Sequence, residues 1–301
     1  MKIVFFGTPD YVLPILKELN SRYEIAAVVT QEPKPTGRKK IIIRSPVDNW
    51  AYKRKILVIY DLKKVPQFDL GVLAAYGKII PKSAIFNSKF GILNIHPSLL
   101  PKYRGASPVQ ATIWTGDIEA GVTIIKIDEL LDHDPIVSQF KEEISPSDTL
   151  ETLRAKLFER ASEVLIELIE PYLQGKIKTR EQNHKEATSS TLVKKEHGFV
   201  PPKYLEAALK GKSLEETWSI PFIKDYSLHP TPYTLNCFIR AMDPWPRAWS
   251  LVNVNKKRLR IKIIKAHLEE KKLVLDEVQL EGKNPISWKE FLAGYPAIAF
   301  A

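Results

Sequence analysis

The sequence predicts an α/β domain built on a parallel-type sheet, followed by a smaller β-rich domain. Three observations carry this expectation. The first 175 residues alternate short apolar runs with amphipathic stretches, the pattern of strands joined by helical crossovers. Apolar residues make up 44% and charged residues 27% of the 301 positions, the profile of a folded globular chain with length for two domains. After Gly198 prolines cluster and short β-branched runs recur, which fits a small β-barrel or sandwich.

Taken in order, residues 2–6 (KIVFF) form a first apolar run, and residues 10–19 place apolar side chains at helical spacing. Further runs follow at 24–30, 68–75 and 91–95. Short continuous apolar runs suit strands buried on both faces of a parallel sheet. Residues 121–128 and 135–144 are β-branched and read as strands. An amphipathic helix is expected over 148–173, capped by Ser147 or Asp148, with Leu150, Leu153, Leu157, Ala161, Leu165 and Leu168 as its apolar stripe and Pro171 near its end. Residues 175–198 are polar and read as a linker or an ordered surface arm. Strands are expected at 248–254, 259–264 and 272–278, the first two joined by the basic tip Asn255-Lys256-Lys257-Arg258. Phe238, Trp245 and Trp249 are expected in the core or at a domain interface.

Lys and Arg number 45 against 35 acids, a net charge of +10. Residues 1–180 and 181–301 each carry +5, so the shorter tail is the denser positive surface. Lys34, Arg38, Lys39, Lys40 and Arg44 cluster with no acid between Pro33 and Val47. Such clustering fits nucleic acid, an anionic membrane or a polyanionic substrate. No apolar run approaches the ~20 residues of a membrane span, and the run opening MKIVFFGTPD is short for a secretory signal. Cys237 is the only cysteine, which excludes an internal disulfide and a Cys-based zinc site and makes the cytoplasm the expected compartment. Gly7-Thr8-Pro9 is not a GxGxxG turn, so no dinucleotide is expected.

The chemistry concentrates in residues 91–105, GILNIHPSLLPKYRG. Asn94 and His96 share one face of a strand end, because strand side chains alternate with period two. An amide donor beside an imidazole at the carboxyl end of a parallel strand sits where open α/β sheets bind ligands. Asp132, within DELLDHDP, is the candidate to orient the imidazole, with Asp134 competing two residues on. His133 between these acids reads as part of a solvated loop, and no metal is expected.

The string Asn-Ile-His-Pro-Ser-Leu-Leu-Pro, with Asp132 at its spacing, resembles the folate-dependent formyltransferases. Within that family, the branch acting on charged initiator tRNA is similar over nearly the whole chain. The matching stretches are FFGTPDY, VVTQEPKPTGRKK, SPV at 45–47, AAYGKIIP at 74–81, SLLPKYRGASPVQ at 98–110, GVTIIKIDE at 121–129, QNHKEAT, KKEHG, FIRAMDPWPRAW at 238–249 and EGK at 281–283. The resemblance implies a Rossmann-like catalytic domain over 1–175, a linker over 176–198 and an OB-like tRNA-binding barrel over 199–301. It implies Asn94, His96 and Asp132 as the catalytic set and 10-formyltetrahydrofolate as formyl donor. Two loops, Tyr76, Gly77, Lys78 and Ile79 with Asp128 to Asp132 (Leu131 included), would meet the pterin. Ser98, Leu99, Leu100 and Pro101 would line the folate pocket. The implied acceptor is methionine on initiator tRNA. Arg38 matches the family's position; Lys39 and Lys40 beside it, and Lys256, Lys257, Arg258, Arg260, Lys262 and Lys265 in the tail, would meet tRNA phosphates. The expected form is a monomer.

Two departures stand out. The family reads DEGLDTGDI where this chain has Leu130 for the Gly and His133-Asp134-Pro135 for Thr-Gly-Asp. A glycine that permits positive φ is lost there. Residues 199–237 also exceed the family's usual length and read as an insertion or an elaborated edge of the second domain. Two other functions stay open: formyl transfer to an amino-sugar nucleotide, and a catalytically silent RNA-binding relative. The basic loop favours tRNA, because a sugar nucleotide offers few phosphates.

Overall fold

The computed structural model describes residues 1–36, 40–127, 132–133, 135–254, 257–296 and 298–300. The chain divides into two compact units: one of Met1–Arg104, Ala120–Glu142 and Arg154–Thr188, the other of Gly105–Glu119, Glu143–Leu153 and Ser189–Ala301. The boundary is therefore not a single cut in the chain.

In chain order the first unit opens with β1 (Lys2–Gly7), α1 (Leu13–Arg22) and β2 (Glu24–Val29), then a hairpin of β3 (Lys34–Thr36) and β4 (Ile41–Ile43). Next come α2 (Pro46–Lys53), β5 (Leu57–Ile59), β6 (Leu70–Ala74), α3 (Lys82–Phe86), β7 (Ile92–His96) and β8 (Arg104–Gly105). Beyond α4 (Pro108–Trp114), which falls in the second unit, lie β9 (Glu119–Lys126), β10 (Ile136–Glu143) and α5 (Leu150–Leu173). The main sheet has the order β10-β9-β7-β6-β1-β2-β5. Strands β5, β2, β1, β6 and β7 pair in parallel, and β9 runs antiparallel to β7. The expected α/β class and mostly parallel sheet are what the structure has.

Local chemistry explains the elements. Five of the six residues of β1 are buried, as a strand covered on both faces requires. A 3-10 turn at Asp10–Val12 precedes α1. Ser45 caps α2 by accepting a hydrogen bond from the Asp48 amide, with Pro46 in the first turn, where its missing N–H does no harm. The cap of α5 is not Ser147 or Asp148. Thr149 and Thr152 exchange backbone-to-hydroxyl bonds of 2.9 and 3.4 Å at its start, while Asp148 accepts from the Ser145 amide upstream. The register pairs Leu73 with Asn94, so the loop leaving β6 emerges beside the carboxyl end of β7.

The polar segment after α5 is tied down along its length. Arg180 and Ile136 exchange two backbone hydrogen bonds of 2.7 and 2.8 Å, Arg104 N–H donates to Thr188 O, and Ala106 N–H donates to Ser190 O in β11 (Ser189–Ser190).

In the second unit, α6 (Pro202–Leu209), the strand pair β12 (Trp218–Ser219) and β13 (Ser227–Leu228), and α7 (Pro232–Ala241) precede a five-stranded antiparallel sheet. Its strands are β14 (Ala248–Val254), β15 (Lys257–Glu269), β16 (Lys272–Leu280), β17 (Ile286–Ser287) and β18 (Ala299–Phe300), with α8 (Trp288–Gly294) between the last two. The order β17-β16-β15-β14-β18 is compatible with a small barrel domain. Trp114 explains why α4 belongs here. Its ring lies 6.1 Å from Trp218, 6.0 Å from Phe222 and 5.7 Å from Tyr226, and Trp218 lies 4.7 Å from Phe238. Residues 199–237 supply core side chains to this unit: Tyr204, Leu205, Trp218, Ile220 and Phe222 are buried, and a large aromatic buried in this way contributes a few kcal/mol. Trp245 departs from expectation in the other direction, being 48% exposed, while Phe238 is fully buried.

Candidate active site

All five residues of β7, Ile-Leu-Asn-Ile-His, are buried, and the alternation of side chains puts Asn94 and His96 on one face. The structure brings Asp132 to both. Asn94 Nδ2 donates to Asp132 Oδ1 at 3.3 Å, and His96 Nδ1 lies 3.5 Å from the same oxygen. On the far side of the ring, His96 Nε2 lies 3.0 Å from the carbonyl oxygen of Tyr103. A carbonyl only accepts, so Nε2 carries a hydrogen. The neutral ring then keeps its lone pair on Nδ1, and a proton arriving there completes an imidazolium facing a carboxylate. Asn94 has a second N–H that meets no protein acceptor among the described residues. All three side chains are buried, where a fixed donor acts more strongly than in water. The site can therefore donate to a developing oxyanion and move a proton through Nδ1.

Two loops frame this cluster. Tyr76 packs its ring edge-on to Phe6 at 6.2 Å, and its carbonyl accepts from Thr8 Oγ1 at 3.1 Å and Gln31 Nε2 at 3.0 Å. Tyr76 thus roots its loop in the core. Gly77 has φ +80°, a left-handed conformation that favours glycine. Gly77, Lys78 and Ile79 are exposed. After β7, Ser98 Oγ donates to Lys102 O at 2.6 Å, and Leu100 packs with Ile125 and Ile136. Ser98 and Leu100 therefore shape the loop, whereas Leu99 and Pro101 are half-buried along it. Asp128, Leu130, Leu131 and Asp134 lie outside the described residues. Asp132 itself adopts φ +51°, so a positive φ falls on the carboxylate residue in a loop that has lost its glycine. Among the described residues, no group of three or more His, Cys, Asp or Glu is arranged to hold a metal ion.

The sequence pattern of the formyl transferase family matches residues 1–169, which is more than half of the chain and includes the whole Asn94–His96–Asp132 cluster. The chain belongs to the formyl transferase family. A methionyl-tRNA formyltransferase from Methylacidiphilum infernorum (isolate V4) is 33% identical, covering 98% of this chain and 95% of that protein. Two solved structures share the fold at 17% identity. WlaRD, a sugar 3N-formyl transferase solved with dTDP and 5-N-formyl-THF, aligns with TM-score 0.63 over 94% of this chain and 99% of its own. The methionyl-tRNA formyltransferase from Clostridium thermocellum aligns with TM-score 0.55 over 93% and 98%.

On this formyl transferase chain, the basic residues fall into distinct settings. Lys40 is exposed, with φ +50°, beside the β3–β4 hairpin. Lys34 Nζ donates to Gln31 Oε1 at 2.7 Å. Arg44, grouped with the basic loop from sequence, is instead committed to the hairpin's root. Its Nη1 lies 2.9 Å from Oδ1 of the fully buried Asp48, whose other oxygen accepts from Tyr60 OH at 2.8 Å. Arg38, Lys39 and Lys256 lie outside the described residues. Lys257 and Arg258 are exposed at the start of β15, and the Arg260 guanidinium stacks 4.1 Å over Trp249.

Three features escaped the sequence reading. The consecutive Ile41, Ile42 and Ile43 of β4 are exposed, Ile42 at 70%; the run was visible, but charge drew the reading past it. The Tyr103 carbonyl against His96 has no side-chain signature. Gln182, which reaches the Asp132 carbonyl at 2.9 Å, lies 50 positions away, and only the QNHKEAT match pointed at it.

Proposed function

We propose that the chain transfers the formyl group of 10-formyltetrahydrofolate to the amino group of methionine on initiator tRNA. The observation that carries this reading is the buried Asn94–His96–Asp132 cluster at the carboxyl end of β7, in a chain similar over nearly its full length to a methionyl-tRNA formyltransferase. The residues present fit a folate. The exposed backbone of Gly77, Lys78 and Ile79 leaves β6, the strand beside Asn94, and its donors and acceptors suit the alternating edge of a pterin. Leu99 and Pro101 add apolar surface.

The bound folate supplies an activated formyl carbon and a nitrogen leaving group. The second N–H of Asn94 donates to the formyl oxygen as charge develops there; losing one donor of this kind costs about 100–1,000-fold in rate. His96 Nδ1 takes the proton released by the attacking amine and returns it to the departing nitrogen, while the new C–N bond forms and the old one breaks. Asp132 holds the ring's orientation and faces the imidazolium. Arg38, Lys39 and Lys40, and Lys256, Lys257 and Arg258 in the tail, meet tRNA phosphates. The reading implies a cytoplasmic enzyme.

The test is an acceptor panel: purified protein, 10-formyltetrahydrofolate, and in turn methionine-charged initiator tRNA, methionine-charged elongator tRNA and a dTDP- or UDP-linked amino sugar. Formylation of the charged initiator well above the others is expected. Formylation of the sugar nucleotide alone would replace this reading with the amino-sugar one, and no consumption of 10-formyltetrahydrofolate with any of the acceptors would leave a catalytically silent RNA-binding relative.

A further inference from the structure

We propose that Gln182 is a positioning residue that sets the Asp132 carboxylate against Asn94 and His96, an inference that rests on the catalytic reading above. Asp132 occupies a left-handed conformation, φ +51°, which is uncommon for a residue other than glycine. The arm after α5 ties this stretch of backbone at three points. Gln182, only 5% exposed, donates from Nε2 to the Asp132 carbonyl at 2.9 Å. Its Oε1 accepts from Arg104 Nε at 3.2 Å and Nη2 at 2.6 Å. A guanidinium only donates and a carbonyl only accepts, so this amide has one permitted orientation. The Arg104 Nη2 also meets His184 Nδ1 at 2.8 Å, and the His184 ring stacks on His133, next to Asp132, with centroids 3.9 Å apart and planes 7° from parallel. Just beyond the loop, Ile136 and Arg180 exchange their two backbone bonds.

The three ties run from the Asp132 carbonyl through residue 133 to residue 136. They hold the backbone of the residue whose carboxylate must reach two partners at 3.3 and 3.5 Å. His133 is the residue this chain carries where the family has Thr, so the stack belongs to this chain's own version of the loop. Gln182 touches no reacting atom in this mechanism. It acts through Asp132.

The decisive experiment is a double-mutant cycle on formylation of charged initiator tRNA. Gln182→Ala is expected to lower kcat roughly 10–100-fold, the order expected when a catalytic group is displaced by about 1 Å, with KM for tRNA changed less than about threefold. In an Asp132→Asn background the same change should have less than about a threefold further effect, because the residue it positions is already disabled. Gln182→Glu keeps the side chain's shape and its Arg104 partner while setting a carboxylate against a carbonyl. It should lose kcat at an unchanged Tm, which covers the case in which the alanine variant does not fold. The 15N resonance of His96 Nδ1 should move in either variant, a readout that needs no turnover and so survives failure of the tRNA reading. An unmoved resonance, a kcat within threefold of the parent, or a loss that multiplies in full on Asp132→Asn would overturn the proposal.

Discussion

An amide carries two N–H groups, and in Asn94 one is committed to Asp132; in the proposed mechanism the other donates to an oxygen that gains charge. A carboxylate has two oxygens, and in Asp132 a single one serves both Asn94 and His96. This economy makes the cluster sensitive to which acid occupies it. Asp132→Asn is expected to lower kcat by at least about 100-fold, because the imidazolium then faces a neutral amide, whereas Asp134→Asn should stay within about threefold. Steady-state formylation rates of the two variants check this; the reverse ranking would move the orienting role to Asp134. Asn94 and His96 were legible in the sequence because strand periodicity puts i and i+2 on one face. Asp132 was legible through family likeness, since nothing local links residues 38 apart. Backbone partners such as the Tyr103 carbonyl leave no trace in residue identities, which is why the ring's tautomer emerged only from the fold.

Elements were readable where one physical signal dominated. Continuous apolar runs marked β1, β2, β6 and β7, whose burial on both faces demands them. The cap of α5 was misplaced by one or two residues because Ser145, Ser147, Asp148, Thr149 and Thr152 all offer capping oxygens, and only backbone geometry selects among them. The packing of residues 199–237 was not legible because their aromatics are scattered in sequence and come together around Trp114 and Phe238. For the β3–β4 hairpin, charge sets the expectation. Replacing Arg38, Lys39 and Lys40 together by Ala should weaken binding of charged tRNA and make the log–log salt slope shallower by up to roughly 2–3, at about 0.9 for each phosphate no longer neutralised. Folate binding should not change. Titrations at several salt concentrations measure both, and an unchanged slope would reduce the hairpin to a solvated loop. Arg44 is left out of the variant because its partner is the buried Asp48, and removing it would strand that carboxylate.

At the scale of the molecule, the two units carry different features. The first holds the buried cluster and the hairpin; the second presents the basic residues of β15 on a five-stranded sheet. The positive charge is divided evenly between residues 1–180 and 181–301; in the proposed mechanism tRNA affinity rests on many such screened charges and chemistry on three buried side chains. Binding and turnover should then separate. The most direct test is Asn94→Ala, measured twice: by single-turnover formylation with enzyme in excess over charged initiator tRNA, and by equilibrium binding of tRNA and of folate. An interaction made chiefly in the transition state lowers the rate without weakening either complex. The expected result is a rate reduced by about 100–1,000-fold, with both Kd values within about threefold of the parent protein. A rate within a few-fold of the parent would contradict the account at its centre, since the oxyanion donor would then lie elsewhere.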